Sequence, residues 1–137
     1  MKIIGLDGKI YKWTLKSNPR SDFSQYHEKA RFLLKKILPL DTILEEVSLP
    51  GSDLTVDFFL PIRKLGIEVQ GEQHYKFVKH FHNNVFGFNR SIQRDRDKKL
   101  WFESNNFNFI ELSYKETENE WRDNIITAIS KRTDGST

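Results

Sequence analysis

The sequence predicts an α/β fold of the α+β kind. A mixed β-sheet of about four strands is flanked by helices in the order helix, three strands, helix, strand, helix, behind an extra N-terminal β-hairpin. Three observations predict it. Alternating apolar and polar runs surround Asp7-Gly8 and again the proline-led turn at Pro61, which is the period of strands joined by tight turns. Apolar residues recur at helical spacing between Phe23 and Ile37. Beyond residue 90, a basic helical segment, a hydrophobic strand and an amphipathic segment follow one another.

Taken in order, 2–6 and 9–14 form the opening hairpin, and Asn18, Pro19 and Arg20 a linker. Ser21 or Ser24 caps a helix that buries Tyr26, Ala30, Leu33 and Ile37 and stops before Pro39. Residues 43–49 read as a strand and Pro50-Gly51-Ser52 as a turn; a second hairpin comes next. Residues 75–89 are aromatic and basic without a clean period and read as a loop. A second helix is expected over 92–105 with Leu100 and Trp101 buried, then a strand over 107–112 and a last helix over 121–129. The expected organisation is hairpin and linker over 1–20, one folded domain over 21–132, and a frayed tail over 133–137.

Composition narrows the function classes. The 137 residues hold no cysteine, which excludes disulfides, zinc–thiolate sites and a cysteine nucleophile. No apolar run approaches the roughly 20 residues of a membrane span. The start lacks the apolar core of a signal peptide, so the expected location is cytoplasmic. Net charge is only +3, but 76–99 is rich in Lys, Arg and His while 103–120 is acidic, an asymmetry compatible with a polyanionic partner.

The most informative stretch is 54–74, LTVDFFLPIRKLGIEVQGEQH. With Pro61, Ile62, Arg63 and Lys64 as the turn, Leu60 faces Leu65, Phe58 faces Ile67, and Asp57 falls opposite Glu68. Opposed residues lie roughly 4.5–5.5 Å apart at Cβ. Alternation places Val56, Phe58 and Leu60 with Leu65, Ile67 and Val69 on a core face, and Asp57 with Glu68 and Gln70 on the other. Two acids so placed repel unless a cation or proton lies between them. Hard oxygen ligands suit Mg²⁺, with Mn²⁺ as a substitute, and the carbonyl of Val69 offers another oxygen.

These elements resemble the PD-(D/E)XK nuclease superfamily, and within it the very-short-patch-repair-like branch that includes phage and intron-associated homing endonucleases of the EDxHD type. The resemblance rests on Asp57-Phe58-Phe59-Leu60-Pro61, on Ile67-Glu68-Val69-Gln70-Gly71-Glu72-Gln73-His74, on Arg94-Asp95-Arg96-Asp97-Lys98, and on Phe109-Ile110-Glu111-Leu112-Ser113-Tyr114. It covers about 24–114. It implies a restriction-endonuclease-like core over the folded domain, and a metal-dependent endonuclease that hydrolyses phosphodiester bonds in double-stranded DNA. It also implies a bacterial host or phage as source, with no membrane and no organic cofactor. Two positions depart from the pattern: Gln70 replaces the superfamily's Lys or the Asp of nearer relatives, and Glu111 stands where relatives often carry Arg.

Under this resemblance Asp57 and Glu68 are metal ligands and Gln70 orients the attacking water, although an amide cannot act as a general base. His74 serves proton transfer or contacts the scissile phosphate. Asp95 orients His74 or joins the metal shell, with Asp97 as its nearest competitor. Glu28 matches an acid that relatives place on the first helix, yet its wheel position lies opposite the buried stripe, as a solvated acid's would. His80 and His82 lack the further ligands of a second metal site. Lys76, Lys79, Arg90, Arg94, Arg96, Lys98 and Lys99 gather where a duplex backbone would pass. A homodimer is one way a chain this small reads a long site. The competing readings are a structure-selective repair or junction nuclease and a non-cleaving DNA-binding module in which Gln70 marks a decayed site.

Overall fold

In the computed structural model the described residues are 1–19, 24–71 and 85–131. The opening hairpin pairs β1 (Lys2–Ile4) with β2 (Ile10–Lys12), Ile3 opposite Tyr11. Its turn needs Gly8, whose φ of +80° is strained for any side chain, while Asp7 Oδ1 accepts from Lys9 N at 3.0 Å. A two-stranded hairpin is only marginally stable alone. This one is docked: Asn105 Oδ1 accepts from Ile4 N at 2.6 Å and Asn105 Nδ2 donates to Ile4 O at 2.9 Å. Ile3 and Trp13 are buried in the main body.

The main sheet runs β3 (Leu44–Ser48), β4 (Thr55–Leu60), β5 (Leu65–Gln70), β6 (Asn108–Ser113) in spatial order. The first three strands are antiparallel, and β6 lies parallel to β5, with Gly66 opposite Phe109. A parallel pair requires a crossover, and the crossover contains the helix α2 (Val85–Ser104). The other helices are α1 (Gln25–Ile37), capped by Ser24, and α3 (Glu118–Ile129), opened by a Thr117–Glu120 capping box. This is the predicted order, a mixed α/β arrangement of four strands plus a two-stranded hairpin. Helix α2 begins seven residues before the predicted start at 92. Residues 85–91 carry no apolar period, so pattern is blind to them, but extending an anchored helix adds a hydrogen bond per residue without a new nucleus. Among the described residues no helix is long and apolar enough to cross a membrane.

Helices cover both faces of the sheet, so the face that carries Glu68 and Gln70 has an apolar cluster of its own. On one side Ala30, Leu33 and Leu34 of α1 and Trp121 and Ile125 of α3 pack on Phe58, Leu60, Leu65 and Ile67. On the other, Trp101 and Phe102 of α2 pack with Phe59, Val56, Val47 and Trp13. Each fully buried Phe or Leu stabilises by about 1.5–3 kcal/mol, so apolar burial fixes α2 to the sheet as well as α1. Phe102 takes the buried place expected of Leu100, which is 51% exposed. Gly66 makes room for it: a Cβ there would lie 2.4 Å from Phe102 Cζ.

The β3–β4 ladder is broken at one place. Leu44↔Phe59 and Glu45↔Phe58 are in register, as are Val47↔Val56 and Ser48↔Thr55, and the ladder skips the Glu46–Asp57 step between them. Glu46 has φ +48°, in the left-handed region. Strict alternation would set residues three apart on opposite faces. Yet Leu44 and Val47 pack into the same cluster, and so do Phe59 and Val56. Both strands therefore reverse face at the break, which is why Val56 does not side with Phe58 as predicted.

Candidate metal centre

The predicted register of the second hairpin holds through Leu60↔Leu65 and Phe58↔Ile67. One step further, side chains replace the backbone ladder. Asp57 N donates to Glu68 Oε2 at 3.0 Å, and Val69 N donates to Asp57 Oδ2 at 2.8 Å. Asp57 and Glu68 thus meet as the register requires, each carboxylate accepting an amide from the opposite strand. Between them Asp57 and Glu68 face helices on both sides of the sheet. Asp57 Oδ1 lies 3.9 Å from His27 Nδ1 of α1, while Glu68 Oε1 is ion-paired with Lys98 Nζ of α2.

The centre is short of positive charge. Burial pushes the Glu68 carboxyl up to about 8, the neighbouring Asp57 charge adds to the rise, and the charge and hydrogen bond of Lys98 oppose it. Burial likewise pushes Asp57 up to about 6, helped by a hydrogen bond and repulsion from Glu46. Burial alone would lower the Lys98 ammonium; Glu68 and Asp57 outweigh it and hold Lys98 above its usual value. Below those values the two acids hold protons, and a divalent cation can take the place of those protons between them. The donors are carboxylate oxygens and one imidazole with no sulfur, which fits such an ion.

The structure distributes the sequence candidates unevenly. Asp57, Glu68 and Val69 are together, and Gln70 is buried at the end of β5, its carbonyl accepting from Tyr114 N at 2.9 Å. Gln70 is therefore no exposed strand residue. Asp95 is half-buried on α2, one turn before Lys98, and its charge helps hold Lys98 protonated. Asp97 is occupied differently, its Oδ1 accepting from Gln93 Nε2 at 2.9 Å. Glu28 is exposed and points away from the cluster, as its wheel position predicts; the neighbouring His27 takes the inward place. Lys98, expected at the DNA backbone, is turned into the centre with a side chain only 14% exposed. Arg90, Arg94, Arg96 and Lys99 remain exposed along α2, with Arg94 3.7 Å from Asp53 and Lys99 2.9 Å from Glu111. His74, Lys76 and Lys79 lie outside the described residues, as do His80 and His82.

Sequence reasoning missed His27, Arg31, Glu45 and Glu46. The signals existed. His27 stands three and seven residues before Ala30 and Leu34, a polar residue on the apolar stripe. Glu45 and Glu46 are acids inside a predicted strand, where acids are disfavoured.

The chain is 42% identical over 62 residues to "Uncharacterized protein 307L" of Invertebrate iridescent virus 6, covering 45% of this chain and 32% of that protein. It is 36% identical over 64 residues to "Uncharacterized protein 033L" of Invertebrate iridescent virus 3, covering 47% and 33%. Each match thus spans about a third of the relative's length. No family model and no solved structure matches the chain.

Proposed function

We propose that this chain is a divalent-metal-dependent DNA endonuclease with a restriction-endonuclease-like core, hydrolysing phosphodiester bonds in double-stranded DNA. The observation that carries the reading is the pairing of half-buried Asp57 with buried Glu68 beside the break in the sheet, where both acids are pushed up despite Lys98. When bound, a divalent cation supplies Lewis-acid charge at the scissile phosphate and a water of lowered pKa. Asp57 and Glu68 hold the ion, with the Val69 carbonyl as a further oxygen. Lys98 brings from the neighbouring helix the fixed positive charge that position 70 lacks. Gln70 orients water or phosphate through its amide and takes no proton. His74 carries a proton at the attacking or departing oxygen, and Asp95 positions it. Arg90, Arg94, Arg96 and Lys99 meet the phosphate backbone, together with Lys76 and Lys79. Pairing of two copies would let so small a chain read a long site.

The test is nicking of supercoiled plasmid with Mg²⁺ or Mn²⁺. The wild-type chain should nick, chelation should stop it, and Asp57→Asn and Glu68→Gln should each reduce the rate by more than the roughly 10–100-fold expected for losing an outer-shell partner. Activity that survives both substitutions contradicts the reading.

A further inference from the structure

We propose that His27, Glu46 and Asp57 form an imidazole-bearing cation site, oriented by Glu45 and Arg31, that favours first-row transition ions over Mg²⁺. The inference shares Asp57 with the proposed nuclease centre, and rests on that reading of Asp57 as a ligand.

His27 is 4% exposed, in the apolar stripe of α1 and stacked on Phe58 with ring centroids 4.5 Å apart. Its Nε2 lies 2.9 Å from Glu45 Oε1. Glu45 is itself gripped by the Arg31 fork, with Nε to Oε2 at 2.8 Å and Nη2 to Oε1 at 2.7 Å. Two parallel bonds from one guanidinium are the geometry of a charged pair, which keeps Glu45 a carboxylate. An ionised carboxylate only accepts, so its bond to the ring assigns a proton to Nε2. In the neutral ring Nδ1 then carries the lone pair, on the side of Asp57. A carboxylate behind a histidine that fixes which nitrogen faces the ion is the usual support of a metal-bound imidazole.

The third donor comes from the backbone break. The left-handed Glu46 sits beside Asp57, close enough for their carboxyls to hydrogen-bond. The ligand atoms of His27, Glu46 and Asp57 all lie within 4.8 Å of one another. Donors about 2.0–2.2 Å from a shared ion are at most about 4.4 Å apart, so the three draw together to seat one. Mg²⁺ takes oxygen ligands, whereas affinity for a nitrogen-bearing site rises from Mn²⁺ to Co²⁺. Calorimetric titration of the metal-free full chain should therefore show affinity rising from Mg²⁺ through Mn²⁺ to Co²⁺, with at least about tenfold between the ends.

The deciding experiment uses Mn²⁺ alone and electron spin-echo spectroscopy. The protein has four histidines; in a His74→Gln, His80→Gln, His82→Gln chain, His27 is the remaining one. Nitrogen coupling to Mn²⁺ in that chain supports the proposal, and its absence, as for a charged His27 that merely bridges Glu45 and Asp57, overturns it. Glu45→Gln provides a second arm, because an amide donating to Nε2 moves the ring proton to Nδ1. With the fold verified by its metal-free melting curve, this variant should bind Mn²⁺ roughly 10–100-fold more weakly; unchanged affinity overturns the proposal. If that variant fails to fold, the three-histidine replacement still decides. Plasmid nicking by the wild-type chain, which keeps His74, separates the two readings. Nitrogen coupling without cleavage fails the nuclease reading alone, and Mg²⁺-supported cleavage without nitrogen coupling fails this one alone.

Discussion

Lys98 Nζ is ion-paired with Glu68 Oε1, joining α2 to β5 across thirty residues, and the two side chains are 14% and 6% exposed. Deleting one partner of a buried pair leaves the other charge uncompensated, at about 3–5 kcal/mol. Lys98→Met should therefore destabilise the protein strongly at pH 9, where Glu68 is ionised. Adding Glu68→Gln should restore most of the loss, since replacing both partners avoids the stranded charge. Urea unfolding of the four proteins checks this. Lys98→Met within about 0.5 kcal/mol of wild type, the range of ordinary surface substitutions, would contradict the pairing.

Both raised acids set the sign of the pH dependence. Below its unfolded pKa an acid is protonated in both states. Between the unfolded and folded values the unfolded chain has released a proton that the native chain keeps, so stability falls as pH rises. For Asp57 the window runs from 3.8 to about 6, and for Glu68 from 4.5 to about 8. The metal-free protein should lose stability from pH 5 to 8, and Glu68→Gln should flatten that slope. Divalent-ion affinity should rise over the same window, because the ion displaces protons. Urea midpoints at pH 5, 6.5 and 8 decide the first point; a midpoint that climbs with pH, or a slope indifferent to Glu68→Gln, would sink it.

Gly66 serves packing. Its Cβ would meet the Phe102 ring at 2.4 Å, and that ring is wholly buried. Gly66→Ala should destabilise by about 1–3 kcal/mol through overpacking. Phe102→Leu in the same chain should recover part of the loss, a coupling visible in thermal melts. Strictly additive effects would show that the two residues do not meet.

What was legible in the sequence was what local period and turn chemistry encode. A four-residue turn after Leu60 left one register for the second hairpin, so the opposition of Asp57 and Glu68 could be counted. The face reversal at Glu46 could not, because alternation is a rule for unbroken ladders, and a left-handed Glu leaves no periodic trace. The orientation of α2 was readable only in part. Adjacent helical residues point about 100° apart, so choosing Leu100 beside Trp101, in place of Phe102, rotated the predicted stripe. With Trp101 and Phe102 inward, Lys98 at three and four residues' distance shares their side. That placement turns a presumed DNA contact into a partner of Glu68. His27, three and seven residues before Ala30 and Leu34, has the spacing of an inward residue, but its polar side chain breaks the apolar stripe that a periodicity reading follows.

The most direct measurement is anomalous diffraction from a crystal soaked in Mn²⁺. The account predicts a peak at ordinary coordination distance, about 2.2 Å, from a carboxylate oxygen of Asp57, at the break in the β3–β4 ladder. A fully occupied peak elsewhere with none at Asp57, or no peak at millimolar Mn²⁺, would contradict it.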